Sequence, residues 1–441
     1  MSEKTEKTNL TNIMSNFTEK KFYPWLVVGL LWVVALLNYM DRQMLSTMQH
    51  SIGQTIPLVD NAKYFGYLMA IFLWIYGLMS PISGAIADRL NRKWLIVGSL
   101  GVWSAVTSLM ALCTDFTSIF CLRALMGVSE ALYIPAALSL IADYFTGSSR
   151  SLAIGIHMTG LYMGQALGGF GATAAATWSW QDTFHWFGII GLIYAAVLIV
   201  LLREKRNSQY VTEVPEIDDS EGGATITETP RKNEGKIPVL KGFAMIFSNV
   251  AFWVILFFFA SSSLPGWSTK NWLPTLFAEN LGLAPGVAGP AATISIAVAS
   301  FFGVMIGGPI SDRWVKRNLR GRVYTSAIGL TMMVPALIFI GLGHNAVTAV
   351  CAALFFGIGY GMFDTNTMPI LCQFIPDKLR ASAYGVINMS GVFAGALVTQ
   401  ILGAWAEGGN LGLGFALMSG ILILAVALQL IVLRPKTDNM Q

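Results

Sequence analysis

The sequence predicts an all-α membrane protein with twelve transmembrane helices in two six-helix pseudo-repeats. Three observations carry that prediction. The 441 residues are 54% hydrophobic and only 12% charged, with a mean hydropathy of +0.60. Soluble domains carry about 25% charged residues, so a soluble globular fold is excluded. Apolar runs long enough to cross a bilayer, which takes about 20 residues, recur along the whole chain. Short strings in the first six runs also return at matching places in the last six.

In order, the first six runs cover roughly 24–48, 62–87, 94–114, 117–145, 151–175 and 183–202. The last six cover roughly 243–277, 288–311, 322–343, 346–374, 381–405 and 411–433. The polar N-terminal residues lead straight into a full-length apolar run, which reads as a retained anchor and not as a cleavable signal peptide. The polar stretch from Arg203 to Lys241 has an acidic part, Glu213 to Glu221, followed by Arg231, Lys232 and Lys236. It reads as a flexible linker with a short amphipathic piece at its end. The expected organisation is a tail at 1–21, a six-helix bundle at 22–203, a linker at 204–240, a second bundle at 241–433 and a tail at 434–441.

Loop charges set the orientation. One face collects all but four of the 28 Lys and Arg residues, the exceptions being Arg42, Lys63, Arg123 and Lys270. The opposite loops carry Asp60, Asp115, Asp182, His185, Glu279 and Glu407. The positive-inside rule then makes the basic face, both termini and the linker cytoplasmic. Short outer loops point to a bacterial inner membrane. The four cysteines lie in or beside apolar runs without metal-ligand spacing and read as packing residues. Trp25, Trp103, Trp178 and Trp180 read as interface anchors. The string Gly164-x-x-x-Gly168-Gly169 reads as close-packing hardware, because it follows no strand and cannot be a nucleotide loop.

The repeat is visible in several strings. Gly84-Ala-Ile-Ala-Asp88-Arg89 ends the second run and Gly308-Pro-Ile-Ser-Asp312-Arg313 ends the eighth, each followed by a basic cluster. The spacing from Glu130 to Pro135 equals that from Asp364 to Pro369, and Arg150 to Gly155 recurs as Arg380 to Gly385. Such a six-plus-six layout suits transporters that rock two halves around a midplane site. Over nearly its whole length the chain resembles the major facilitator superfamily. Gly84-x-x-x-Asp88-Arg89-x-x-Arg92-Lys93 is similar to that family's signature loop, with Asn91 where a glycine is usual. The resemblance implies a gating role for Gly84, Asp88, Arg89, Arg92, Asp312 and Arg313.

Charged residues also lie within the apolar runs. Asp41 and Arg42 fall in the first, beside Asn38, and Arg123, Gly127 and Glu130 fall in the fourth. A charge at bilayer depth costs at least about 2.5–3.5 kcal/mol, so these residues belong inside the bundle or in a water-filled cavity. Offsets of four and seven put Arg123, Gly127 and Glu130 on one helix face, with Arg123 and Glu130 about 10 Å apart along the axis. Gly127 leaves room there for a ligand or a neighbouring side chain, and Pro135 is placed to kink the helix. Arginine stays charged and matches a carboxylate with its planar fork. Aspartate and glutamate can carry a proton when buried, so protonating Asp41 or Glu130 would release an arginine for an anion. The competing reading is a pair of internal salt bridges that only join helices, although buried pairs are a poor source of stability.

The strings Asn38-Tyr39-x-Asp41-Arg42, Arg123-x-x-x-Gly127-x-x-Glu130-Ala131-x-x-x-Pro135 and Asn271-Trp272-Leu273-Pro274 resemble the anion:cation symporter branch. That branch includes hexuronate, aldonate and sialic-acid carriers. The resemblance implies substrate contact by Arg42, Arg123 and Tyr76, and proton coupling by Asp41 and Glu130. Ser80 stands where a glutamine is common, and Ile141-Ala142-Asp143-Tyr144-Phe145 is similar to spinster-type lipid carriers. Asp364 is placed like Glu130 and is a further coupling candidate. Asn388 and Gln400 could read sugar hydroxyls or hydrogen-bond between helices. His157 reads as a bundle histidine, and Lys270 as a residue that snorkels to the interface.

The expected function is proton-coupled symport of a small organic anion, a sugar acid above all, by alternating access. Export of a lysolipid or other amphiphile is the alternative within transport, and a membrane sensor on a transporter scaffold is the alternative outside it. No nucleophile-base pair, metal motif or cofactor loop suggests an enzyme. The expected partners are the anion, the proton and the bilayer, with no cofactor, no metal and no nucleic acid, in a monomer.

Overall fold

A computed structural model describes residues 22–145, 147–205, 239–376 and 379–435. The expected tail at 1–21 and most of the linker lie outside the described residues. The first span, Tyr23–Thr47, starts with Pro24 in its first turn, where a missing N–H costs nothing. Two short helices, Gln49–Gly53 and Pro57–Asp60, turn the chain into the second span, Ala62–Arg89. Asn61 caps that span by accepting from the backbone N–H of Lys63 and Tyr64. The third span is Arg92–Met110. Its cap is Asn91, whose Oδ1 accepts from Trp94 N at 3.1 Å, so the departure from the expected glycine serves as a helix start.

The fourth span is broken at Leu132 into Phe116–Ala131 and Tyr133–Tyr144. The break precedes Pro135, which has no N–H to offer the carbonyl of Ala131. The fifth span, Gly147–Gly168, is followed by the short helix Gly171–Thr177 and the sixth span, Trp180–Leu201. The helix Val239–Phe247 straddles the end of the expected linker and the start of the expected seventh run. It is separate from the seventh span, Val250–Leu281, which ends on Gly282 at φ +60°. The remaining spans are Pro285–Val315, Gly321–Leu342, Ala346–Phe374, Arg380–Glu407 and Leu411–Val432. Among the described residues, eleven helices are long and apolar enough to cross a membrane. Gly147–Gly168, with its Ser, Thr, His and Gln, is the twelfth long helix at 22 residues.

Small residues fix the packing. A Cβ on Gly160, Gly164 or Gly168 would meet the carbonyl oxygen of Trp32, Leu36 or Met40, so the fifth span lies directly against the first. The repeat returns as matching hydrogen bonds. Arg150 Nη2 donates to Ala142 O at 3.1 Å, and Arg380 Nη2 donates to Cys372 O at 2.8 Å, each reaching back eight residues.

The first six spans meet the last six at the ends away from the basic loops. Asn61 Nδ2 donates to Glu407 Oε1 at 2.6 Å, and Thr173 Oγ1 donates to Gly286 O at 2.9 Å. Gly66 of the second span backs onto Gly403 of the eleventh. Toward the basic face, Gly84, Gly155 and Gly385 have nothing within 4 Å of where a Cβ would lie. The two halves are thus joined at the end away from the basic loops. Two of the tryptophans expected at the interface are elsewhere: Trp103 and Trp180 are buried in the bundle. Trp103 packs edge-on to Tyr133, and Trp180 Nε1 donates to Thr55 Oγ1. Aromatic burial and a hydrogen-bond partner outweigh the interfacial preference at those two positions.

Candidate functional site

The first span carries Tyr39, Asp41 and Arg42 at mid-length, where its helix faces the second, third and fourth spans. Arg42 Nε donates to Glu130 Oε2 of the fourth span at 2.5 Å. Glu130 is 0% exposed and Arg42 9%, so the pair is shielded from water. The pairing crosses between helices. Arg42 is not matched with its neighbour Asp41, nor Glu130 with Arg123 on its own helix. Neighbours on a helix point about 100° apart, and two turns separate Arg123 from Glu130.

Asp41 turns instead to the third span, where Thr107 Oγ1 donates to its Oδ2 at 2.6 Å. The same hydroxyl lies 2.9 Å from Trp103 O. A hydroxyl has one proton and two lone pairs. With that proton directed to Asp41, the carboxylate is accommodated. With it directed to Trp103 O, a protonated Asp41 can donate to Thr107. The contact therefore suits either state of the acid.

Aromatic rings complete the setting of the arginines. The Arg42 guanidinium lies 5.0 Å from the Tyr39 ring centroid, 4.8 Å from Phe72 and 4.7 Å from Tyr76. Arg123 lies 4.6 Å from the same Phe72 ring. One phenyl ring thus serves two like-charged groups, on which its π-face exerts a favourable pull. Arg123 is 2% exposed and forms no ion pair among the described residues, its Nη1 lying 2.9 Å from Met126 Sδ. Among the described residues, Arg42 Nη2 and Arg123 Nε have no hydrogen-bond partner. Of the two buried guanidiniums only Arg42 is held by a carboxylate, which leaves donor capacity for an anion. Gly127, expected to leave room for a ligand or side chain, admits the second span's backbone at Phe72 O.

The second half contributes Asn388, whose Nδ2 donates to Ser80 Oγ across the two halves at 3.4 Å. Ser80 lies one turn beyond Tyr76 on the second span, which brings Asn388 to the substrate-contact candidates. Asp364 is exposed on the tenth span although it sits in the middle of an apolar helix. It lies one turn beyond Tyr360 on that span, and the Tyr360 ring is 6.0 Å from the Lys270 ammonium. Lys270 does not snorkel outward: its Nζ lies 4.8 Å from the Trp267 ring and 6.0 Å from Tyr360. Those rings hold the ammonium inside by cation–π attraction. His157 is fully buried beside Tyr133.

The expected gating residues divide in two. Arg92 forms a buried ion pair with Asp143, tying the third span to the fourth. Asp312 pairs with Arg322 at 3.3 Å on the exposed surface, and Arg313 is exposed. Asp88 and Arg89 close the second span, and their side chains lie outside the described residues. Phe72 and Thr107 are site neighbours that the sequence reading did not single out, and Lys270 was read there as an interface residue. Phe72 lay one turn before Tyr76, a spacing that could have found it.

The family model described as Major Facilitator Superfamily matches residues 31–399. A "Probable galactarate/D-glucarate transporter" of Escherichia coli (strain K12) is 25% identical over 394 residues, covering 86% of this chain and 87% of its own. A "D-galactonate transporter" of Escherichia coli O6:H1 is 24% identical over 399 residues, covering 87% of this chain and 89% of its own. A solved bacterial homologue of the human lysosomal transporter Spinster, in an inward-facing and unoccupied conformation, superposes with a TM-score of 0.77. That structure covers 95% of this chain and 99% of its own at 19% identity, a likeness of fold. With a family match over most of its length and its apolar spans, the chain belongs to the Major Facilitator Superfamily and is an integral membrane transporter.

Proposed function

We propose that the protein is a proton-coupled symporter that imports a sugar acid by alternating access. The observation that carries this reading is the buried Arg42–Glu130 pair beside the unpaired Arg123. A substrate carboxylate on these arginines would compete with Glu130 for Arg42, and a proton on Glu130 removes that competition. Proton and anion then favour one another's binding, as linkage requires. Asp41 is the second proton carrier, held through Thr107, and Asp364 the candidate in the other half. Tyr76 and Asn388 contact the substrate beside the arginines. Full-length similarity to transporters of galactarate, glucarate and galactonate supports a sugar acid as the cargo.

Orientation follows from the basic loops. With the basic face cytoplasmic, the end closed by Asn61 and Glu407 is the outer gate. The Arg92–Asp143 and Asp312–Arg322 pairs then stiffen the cytoplasmic ends of the two halves as they rock. The protein acts as a monomer in a bacterial inner membrane.

Uptake by proteoliposomes under an imposed pH gradient tests the reading. Galactonate, galactarate, a hexuronate, sialic acid and a lysolipid are offered in turn. Accumulation of a sugar acid only when the outside is acidic is the expected result. Uptake indifferent to the gradient would remove proton coupling, and movement of the lysolipid alone would replace the cargo.

A further inference from the structure

The second half carries charges that the scheme above leaves without a carboxylate to hold. Lys270 and Asp364 both sit at mid-length in long apolar spans. Neither has an ion-pair partner within 4.0 Å among the described residues. Unpaired charges at that depth are costly and mark substrate or ion pathways.

The local packing aims Lys270 at the central space. Gly266 lets the Tyr360 ring lie against the seventh span, since any Cβ there would meet Tyr360. One turn further on, the Lys270 ammonium lies over Trp267 and beside that same Tyr360 ring. Gln43 Nε2 donates to Lys270 O at 2.8 Å, which fixes this turn against the first span next to Arg42. The Gln43 contact and the Tyr360 ring thus set Lys270 between the turn that carries Arg42 and the span that carries Asp364. The charged groups within the apolar spans are Asp41, Arg42, Arg123 and Glu130 in the first half, and Lys270 and Asp364 in the second.

A cation on each side of the space favours a ligand with an anionic group at each end. We propose that Lys270 holds the second carboxylate of a sugar diacid whose first carboxylate lies on Arg42 and Arg123. The inference rests on the sugar-acid reading and narrows it to the aldarate class, with Lys270 as the residue that selects for the second charge. Asp364 serves as the ammonium's counter-charge when no diacid is bound, and Trp267 and Tyr360 keep it from folding away.

Galactarate and galactonate are well matched probes, because they differ only in a carboxylate or a hydroxymethyl group at the far carbon. Equilibrium binding of each is measured on the purified full-length carrier, for the native protein and for Lys270→Gln and Lys270→Arg. The expected result is a ratio of galactarate to galactonate affinity that falls at least tenfold in Lys270→Gln and recovers in Lys270→Arg. Residual galactonate binding by Lys270→Gln shows that the variant is folded. An equal loss of both ligands, no change in the ratio, or a native carrier that binds galactonate but not galactarate would overturn the assignment while leaving the sugar-acid reading intact. A native carrier that binds neither would overturn the assignment, and one that also fails to bind a hexuronate and sialic acid would overturn the sugar-acid reading with it.

Discussion

The two halves share one repeat but use charge in opposite ways. In the first, Arg42, Glu130, Arg123 and Asp41 are buried among rings and hydroxyls, and the Arg92–Asp143 latch is buried as well. In the second, Lys270 and Asp364 stand apart, and Asp312, which the repeat aligns with Asp88, is 67% exposed. Breaking a buried pair leaves a charge uncompensated, whereas an exposed pair is worth little. The difference suggests a division of labour, with proton and carboxylate handled in a rigid first half. The second half offers adjustable charge to the rest of the substrate.

Arg123→Ala should break this comparison most severely. Losing a buried charge contact costs about 2–5 kcal/mol, so sugar-acid affinity should fall on the order of 100-fold or more in an equilibrium binding assay. Glu130→Gln comes next. It fixes a neutral side chain beside Arg42, so substrate exchange between preloaded vesicles should persist while gradient-driven accumulation disappears. A Glu130→Gln carrier that still concentrates substrate would take that residue out of the coupling path.

The latches should separate by size of effect. Asp143→Asn leaves Arg92 buried without its partner, a loss of about 3–5 kcal/mol in other buried pairs, and should lower the apparent melting temperature clearly. Asp312→Asn should shift it little, since exposed pairs contribute roughly 0–1 kcal/mol. Equal effects would show that the halves are built alike after all. The smallest effect is expected at the closed end. Glu407→Ala removes one hydrogen bond between the halves, about 0.5–1.5 kcal/mol. It should modestly raise labelling of a cysteine placed at the outer end of the eleventh span.

Much of the fold could be read from the sequence because hydropathy and small-residue spacing are local signals. The Gly164 and Gly168 string announced a close helix contact, and the Arg150 and Arg380 strings announced a repeat that returns as matching hydrogen bonds. The site was harder to read. Spacing shows which residues share a helix face, but not which face looks at which neighbour. Hence Glu130 was legible as an interior acid, while its partner on the first span, 88 residues away, was not. Lys270 failed for a related reason. Hydropathy places a lysine at a depth but does not say whether it points to lipid headgroups or to the rings of Trp267 and Tyr360. Trp180 was misplaced because a tryptophan at a helix end satisfies the interface rule equally well when packed inside, and Trp103, in the middle of its span, because the rule does not weigh burial against Tyr133.

Proton uptake on substrate binding tests the central claim most directly. Galactonate is added to the purified carrier in weakly buffered solution while the pH is followed. If the anion displaces Glu130 from Arg42, linkage requires the medium to turn alkaline by up to about one proton per substrate bound, and Glu130→Gln to lose that uptake. Saturable galactonate binding by the native carrier with no change in pH at any starting value would contradict the account.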